Sequence, residues 1–139
     1  MIFYILLLLY VIFMIVSTII FSKKTKICLE KTEGKLRRNT DLIPVKDAIN
    51  FNMRCAFLTI FINILIIILG LVHLFILRDI KYLLSLLFIG VFTFIIGLYN
   101  KKSEDIIKNL EVFEIEPGVA EKFSNYLDQW GKRQFSIKE

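Results

Sequence analysis

The only histidine of the chain, His73, lies in a long apolar run among small and polar residues. One helical face, with steps of four, three, four and three residues, holds Thr59, Asn63, Ile66, Gly70 and His73. An imidazole inside an apolar segment can transfer protons or bind a metal or haem. A lone histidine without a second ligand one turn away makes a weak metal site. We therefore expect a structural role for His73, with proton transfer and metal or haem ligation as the alternatives.

The other reactive side chains form no catalytic pattern. Neither Cys28 nor Cys55 has a neighbouring metal ligand, so we expect reduced structural thiols, with lipidation of Cys55 as the alternative. The adjacent acids Glu104 and Asp105 suit the first turn of a helix. The sequence contains no glycine-rich phosphate loop and no GxSxG, HExxH or CxxC motif. We therefore predict that the chain is not an enzyme, binds no cofactor and takes no small-molecule substrate.

Three apolar runs carry or flank these residues. Of the 139 residues, 56% are hydrophobic, whereas soluble domains usually contain about 45–50% apolar residues. Runs 1–21, 55–77 and 83–100 are almost free of charge, and a helix of about 20 residues crosses a hydrocarbon layer about 30 Å thick. Because the first run lacks a basic start and a small-residue cleavage site, we expect a retained anchor rather than a signal peptide.

Basic residues between the runs set the expected orientation. Residues 22–54 contain nine lysines and arginines against four acids, whereas the turn 78–82 contains two basic residues. We therefore expect the N-terminus outside, and the 22–54 loop and the 101–139 tail inside, in the cytoplasm or mitochondrial matrix. Starting at Pro44, residues 44–54 are predicted to form a short interfacial helix. Contact of the loop with anionic headgroups is a further interpretation of its charge, and nucleic-acid binding is not expected.

The short turn predicts that the second and third runs pack as an antiparallel hairpin. With Ile80 at its apex, Gly70 falls opposite Gly90. Small residues let membrane helices approach closely, and polar residues find partners there. The predicted seam of this hairpin contains Thr59, Asn63, Gly70, His73, Gly90, Thr93 and Gly97. A weaker stripe on the first run, free to pack on this hairpin or on another protein, contains Tyr10, Met14, Ser17 and Phe21.

The 101–139 tail has an amphipathic pattern. Residues 103–113 and a segment from Pro117 to Gly131 are predicted as two helices. The second helix has an apolar stripe of Val119, Phe123, Tyr126, Leu127 and Trp130. Residues 103–131 hold two lysines against seven acids, so we expect the stripe to dock on the basic loop or on a protein partner rather than on anionic lipid. Only the last eight residues carry the basic charge that favours a membrane.

These patterns predict an all-α integral membrane protein. It would have three transmembrane helices, the second and third forming a hairpin, and a C-terminal pair of amphipathic helices. The predicted function is that of a small non-catalytic subunit that anchors, assembles or stabilises a larger membrane protein complex, with the tail docking on a partner. The alternative is a self-assembling pore former, which would be similar to some phage holins in topology alone.

Overall fold

The computed structural model of the protein describes residues 2–138. The long elements of this range are the helices α1 (Ile2–Thr32), α2 (Leu42–Leu77), α3 (Ile80–Lys108) and α4 (Val119–Gly131). A single 3-10 turn (Asn39–Asp41) precedes α2. Two short strands, β1 (Lys35–Leu36) and β2 (Glu111–Val112), pair in parallel with Lys35 opposite Glu111.

The first three helices are each long and apolar enough, by length and composition, to cross a membrane. They contain 31, 36 and 29 residues, and at about 1.5 Å per residue each exceeds the hydrocarbon thickness of about 30 Å. The prediction of three helices of this kind is therefore confirmed. Most of their large apolar side chains are exposed on the outside of the bundle, as expected where lipid is the solvent.

Two of these helices extend well beyond the apolar runs, into the loop that was predicted between them. Helix α1 continues to Thr32, and it ends where Glu33 and Gly34 both have positive φ, 51° and 78°. Helix α2 begins at Leu42, so residues 44–54 are its first turns and not a separate interfacial helix. Extending an existing helix avoids the unfavourable nucleation step, which explains why these polar residues remain helical.

The turn between α2 and α3 is shorter than predicted. Arg78 adopts the left-handed conformation (φ 49°) directly after α2, and the Asp79 carboxylate accepts a hydrogen bond from the Lys81 N–H at 3.0 Å. This side-chain cap lets α3 begin at Ile80. The turn therefore consists of two residues, and its centre lies before Ile80, the predicted apex.

Helix α1 packs against both α2 and α3. Along α1, the contacts of Phe3, Tyr10 and Met14 with α2 move from His73 to Thr59, so these two helices are antiparallel. Towards α3, the contacts move from Tyr82 to Thr93 in the same direction as α1. A buried cluster joins the three helices and contains Phe3, Tyr10, Met14, Ile66, Tyr82 and Ile89.

The other ends of the helices form a second unit, which we call the cap: residues 22–54 and 101–138. Its core includes Cys28, Leu36, Val45, Ala48, Ile49, Ile107, Val119 and Phe123. Residues 103–108 are the last turns of α3, and residues 111–112 form β2, so α4 is the only separate helix of the predicted C-terminal pair within residues 2–138. The parallel strands hold the end of α3 beside the segment that leads into α2.

Candidate assembly surface

A hydrogen-bonded group of three side chains joins the three long helices. Asn63 donates from Nδ2 to the Tyr10 hydroxyl oxygen at 2.9 Å, and that hydroxyl also shares a hydrogen bond of 2.8 Å with the Thr93 hydroxyl. We call Tyr10, Asn63 and Thr93 the polar node. Beside it, the Thr59 hydroxyl donates to the sulfur of Met14 at 3.3 Å. These polar residues of the predicted seam therefore meet α1 and not one another across a two-helix hairpin.

The stripe of α1 that looked weaker in the sequence is thus central to the bundle. The buried residues of α1 recur at seven-residue steps in three series, Phe3–Tyr10–Ser17, Met14–Phe21–Cys28 and Thr25–Thr32. Such a repeat is the signature of a helix that packs along its whole length on neighbouring helices. This seven-residue spacing was the signal that could have identified Tyr10 as the third member of the polar node.

The glycines of the predicted seam have different surroundings. Gly70 is buried, and a Cβ atom there would lie 2.8 Å from a methyl carbon of Leu86, so Gly70 allows a close approach of α2 and α3. Its neighbour is Leu86, one helical turn from the predicted Gly90. A Cβ atom built on Gly90 or Gly97 would meet nothing within 4 Å, and both residues are exposed. Gly70 faces Leu86 instead of Gly90 because the turn is shorter than predicted, and this shifts the register of the facing residues of α2 and α3.

His73 is part of an aromatic cluster at the end of the bundle next to the turn. Its ring centroid lies 5.1 Å from that of Tyr82 and 6.2 Å from that of Phe3. Its Nδ1 donates to the Leu69 carbonyl oxygen at 2.8 Å. Ser85, the predicted neighbour, instead donates to a carbonyl of its own helix. Within residues 2–138 no three His, Cys, Asp or Glu side chains come together to hold a metal ion.

Helix α3 presents an outward surface that the chain itself does not cover. Gly90, Phe94 and Gly97 follow at steps of four and three residues, and the Phe94 side chain between them is 68% exposed. We call these three residues the glycine face. A bulky ring between two open backbone segments is a shape into which the side chains of another helix can pack.

The aromatic stripe of α4 is buried inside the chain. Val119, Phe123, Tyr126 and Trp130 are buried and Leu127 is partly buried, against the cap residues of α1 and α2. The Trp130 indole N–H donates to Asn52 Oδ1 at 2.9 Å, and its ring meets that of Phe21 edge-on at 6.5 Å. The stripe is covered by the chain's own 22–54 segment. The five residues predicted to dock on a partner therefore pack within the chain, and only Leu127 among them is partly exposed.

A groove of about 380 Å³ lies at the end of the cap distant from the apolar runs, and its walls include Lys31, Arg37 and Arg38. Two of its cations form ion pairs: Arg37 lies 3.4 Å from Glu33, and Lys35 lies 3.9 Å from Glu111. The Asp41 carboxylate accepts from the backbone N–H groups of Arg37 and Arg38.

Near this groove, the Glu116 carboxylate accepts from the backbone and side-chain N–H groups of Asn39, at 2.9 and 2.8 Å. These two hydrogen bonds hold the pKa of Glu116 below its usual value. Both cysteines are free thiols; Cys28 is buried and Cys55 is partly buried.

Comparison of the chain with protein-family models, with curated proteins and with solved structures finds no match.

Proposed function

We propose that this protein is a non-catalytic, multi-pass membrane subunit that assembles with and stabilises a larger membrane protein complex. In the proposed arrangement the three long helices cross the bilayer with the N-terminus outside and the cap inside. The positive charge of residues 22–54 supports this orientation. The partner would be another membrane helix, bound at the glycine face of α3.

The open glycine face is the observation that supports this proposal. Glycine in a helix interior costs about 1 kcal/mol relative to alanine, so two of them facing outward need a reason. Membrane helices associate through close packing at small residues, since lipid supplies no hydrophobic drive between them. Gly70 allows such close packing inside the chain, where it faces Leu86. At Gly90 and Gly97, by contrast, nothing lies within 4 Å of a Cβ atom built there.

The packing of the cap favours a partner contact through the membrane segment rather than through the tail. The aromatic stripe of α4 is covered by the chain itself, with Trp130 bonded to Asn52. By contrast, the exposed apolar surface of α3 continues along its whole membrane segment, where Leu87, Val91 and Phe94 are each at least 60% exposed. A complementary helix would bury part of this surface and fill the open space beside both glycines.

The test is purification of the tagged chain from its native membrane in mild detergent. Replacing Gly90 and Gly97 with leucine should remove the co-purifying membrane proteins that accompany the unchanged chain in fixed ratio. The matched control combines Leu84→Phe with Ile95→Phe, which enlarge two side chains about a third of a turn away from the glycine face on the same helix. This control should retain the co-purifying membrane proteins. Both control positions are exposed, so the bundle should tolerate each variant equally.

Two results would contradict the proposal. If the leucine variant retains its partners in the same ratio as the control, the glycine face does not bind them. If the unchanged chain purifies only as oligomers of itself, and its expression is lethal, the self-assembling pore former becomes the better interpretation.

A further inference from the structure

The last described residues form a short loop that returns towards the apolar part of α2. We call residues 132–138 the C-terminal loop. Helix α4 runs through Gly131, which was predicted as its stop, and the chain reverses at Arg133, which has a φ of 51°. The Arg133 N–H donates to the Trp130 carbonyl oxygen at 3.1 Å and closes this turn.

Three hydrogen bonds fix the far end of the loop to the cap. The Gln129 side chain donates to the Lys138 carbonyl oxygen at 2.9 Å and accepts from the Lys138 N–H at 2.7 Å. The Ile137 N–H donates to Asn50 Oδ1 at 2.7 Å, and the Ile137 side chain is buried in the cap core. The loop is thus held at both ends, and Phe135 lies at its tip between these contacts.

Phe135 lies beside the apolar run of α2. Its ring meets that of Phe57 edge-on with centroids 5.6 Å apart, and the Arg54 guanidinium lies 5.7 Å from its centroid. Phe57 is the third residue of run 55–77, so Phe135 is level with the point where α2 enters the bilayer. Phe135 is 54% exposed and Phe57 is 55% exposed. An apolar ring at this level faces the boundary between headgroups and acyl chains.

Two arginines are close to this aromatic pair: Arg54 contacts the Phe135 ring, and Arg133 precedes Phe135 by two residues in the chain. Within the part of the chain that the structure describes, neither Arg54 nor Arg133 forms an ion pair with a carboxylate, whereas Lys132 is paired with Asp128 at 2.6 Å. Guanidinium groups bind phosphate oxygens in a bidentate manner and are well suited to a lipid headgroup. Arg54, which contacts the exposed Phe135 ring, therefore has its charge available for a phosphate group, and so has Arg133 in the same loop.

We propose that the C-terminal loop is an interfacial anchor for anionic lipid. Phe135 enters the bilayer beside Phe57, and Arg54 and Arg133 bind the phosphate groups of anionic headgroups around it. The anchor holds the C-terminal end of α4, and with it the cap, at the membrane surface. It uses residues outside the glycine face and needs no protein partner.

The experiment places a nitroxide at the loop tip of the full chain, as Phe135→Cys in a background with Cys28→Ala and Cys55→Ala. The protein is reconstituted in vesicles of phosphatidylcholine with phosphatidylglycerol, or of phosphatidylcholine alone. Collisions of the nitroxide with oxygen, which concentrates in acyl chains, and with a water-soluble neutral nickel chelate report its depth. A label at the exposed residue Glu121, near the far end of α4, is the matched aqueous control.

With phosphatidylglycerol, we expect the label at position 135 to favour oxygen and the label at position 121 to favour nickel. Arg54→Gln and Arg133→Gln should each move the balance between docked and undocked loops by about fivefold, and high salt should do the same. Lys31→Gln, which removes a charge at the distant end of the cap, should have no such effect. Trp130 fluorescence shows whether each variant keeps the folded cap.

Nickel accessibility at position 135 equal to that at position 121 would overturn the proposal. So would a depth at position 135 that changes neither with phosphatidylglycerol nor with salt, since the headgroup contact would then be absent. The salt titration uses the labelled chain with both arginines in place, so the test remains decisive even where an arginine variant unfolds. The vesicles contain the chain produced without its native membrane partners, so the result does not depend on the glycine face.

Discussion

Removing one hydroxyl oxygen from Tyr10 tests how the bundle is held together. Tyr10 is 1% exposed, and its hydroxyl makes hydrogen bonds to both Asn63 and Thr93. Side-chain hydrogen bonds between membrane helices contribute about 0.6 kcal/mol each on average and at most about 1.7. We therefore expect Tyr10→Phe to lower the free energy of unfolding by about 1.2 kcal/mol, about an eightfold change in the equilibrium constant.

The assay is reversible unfolding in mixed micelles or bicelles, followed by tryptophan fluorescence or steric trapping. Tyr4→Phe removes the same atom from an exposed ring on the same helix and should change the free energy by less than about 0.3 kcal/mol. Thr93→Val removes one of the two bonds, and a double-mutant cycle with Tyr10→Phe should give a coupling of about 0.6 kcal/mol. Additive single effects, or equal effects of Tyr10→Phe and Tyr4→Phe, would refute the polar node.

Two further predictions follow from the register and from the cap. Cysteines introduced at Gly70 and Leu86 should form a disulfide faster than cysteines introduced at Gly70 and Gly90, as measured by oxidation in membranes. If the second pair crosslinks faster, Gly70 lies opposite Gly90 as the sequence predicted, and the register described above is wrong. Because hydrogen bonds from Asn39 lower the pKa of Glu116 in the folded state, that carboxylate stabilises the cap above its unfolded pKa, near 4.5. This contribution is lost as the pH falls below 4.5 through the folded pKa of Glu116. The melting temperature of the Glu116→Gln variant should therefore fall less between neutral and acidic pH than that of the unchanged chain.

The three membrane-length helices were predictable because long uncharged runs have few other structures available to them. The register of α2 against α3 was not predictable, since it depends on whether the turn contains two residues or five. The left-handed conformation of Arg78 and the capping hydrogen bond of Asp79 give a turn of two residues. The lateral position of α1 was not predicted either, since the polar residues of α2 and α3 could satisfy one another or Tyr10 equally well by spacing alone.

The cap was predicted in part. The apolar stripe of α4 and the basic 22–54 segment were both identified, and covering of the stripe by this segment was one of the alternatives. The pairing of β1 with β2 has no local signature, because the two-residue strands are far apart in the chain. The helical continuation through residues 22–32 was missed because the helix was ended where the uncharged run ends, although nothing before Gly34 interrupts a helix.

The uninterrupted course of α2 from Leu42 to Leu77 has a mechanical consequence. In the proposed arrangement, its first 13 residues, about 19 Å at about 1.5 Å per residue, project from the bilayer in line with the apolar run. A change of about 10° in the tilt of that run, as a thicker or thinner bilayer would impose, would move the Leu42 end by about 3 Å. The position of the cap would then depend on the thickness of the bilayer, since α2 has no break at which the tilt could be absorbed.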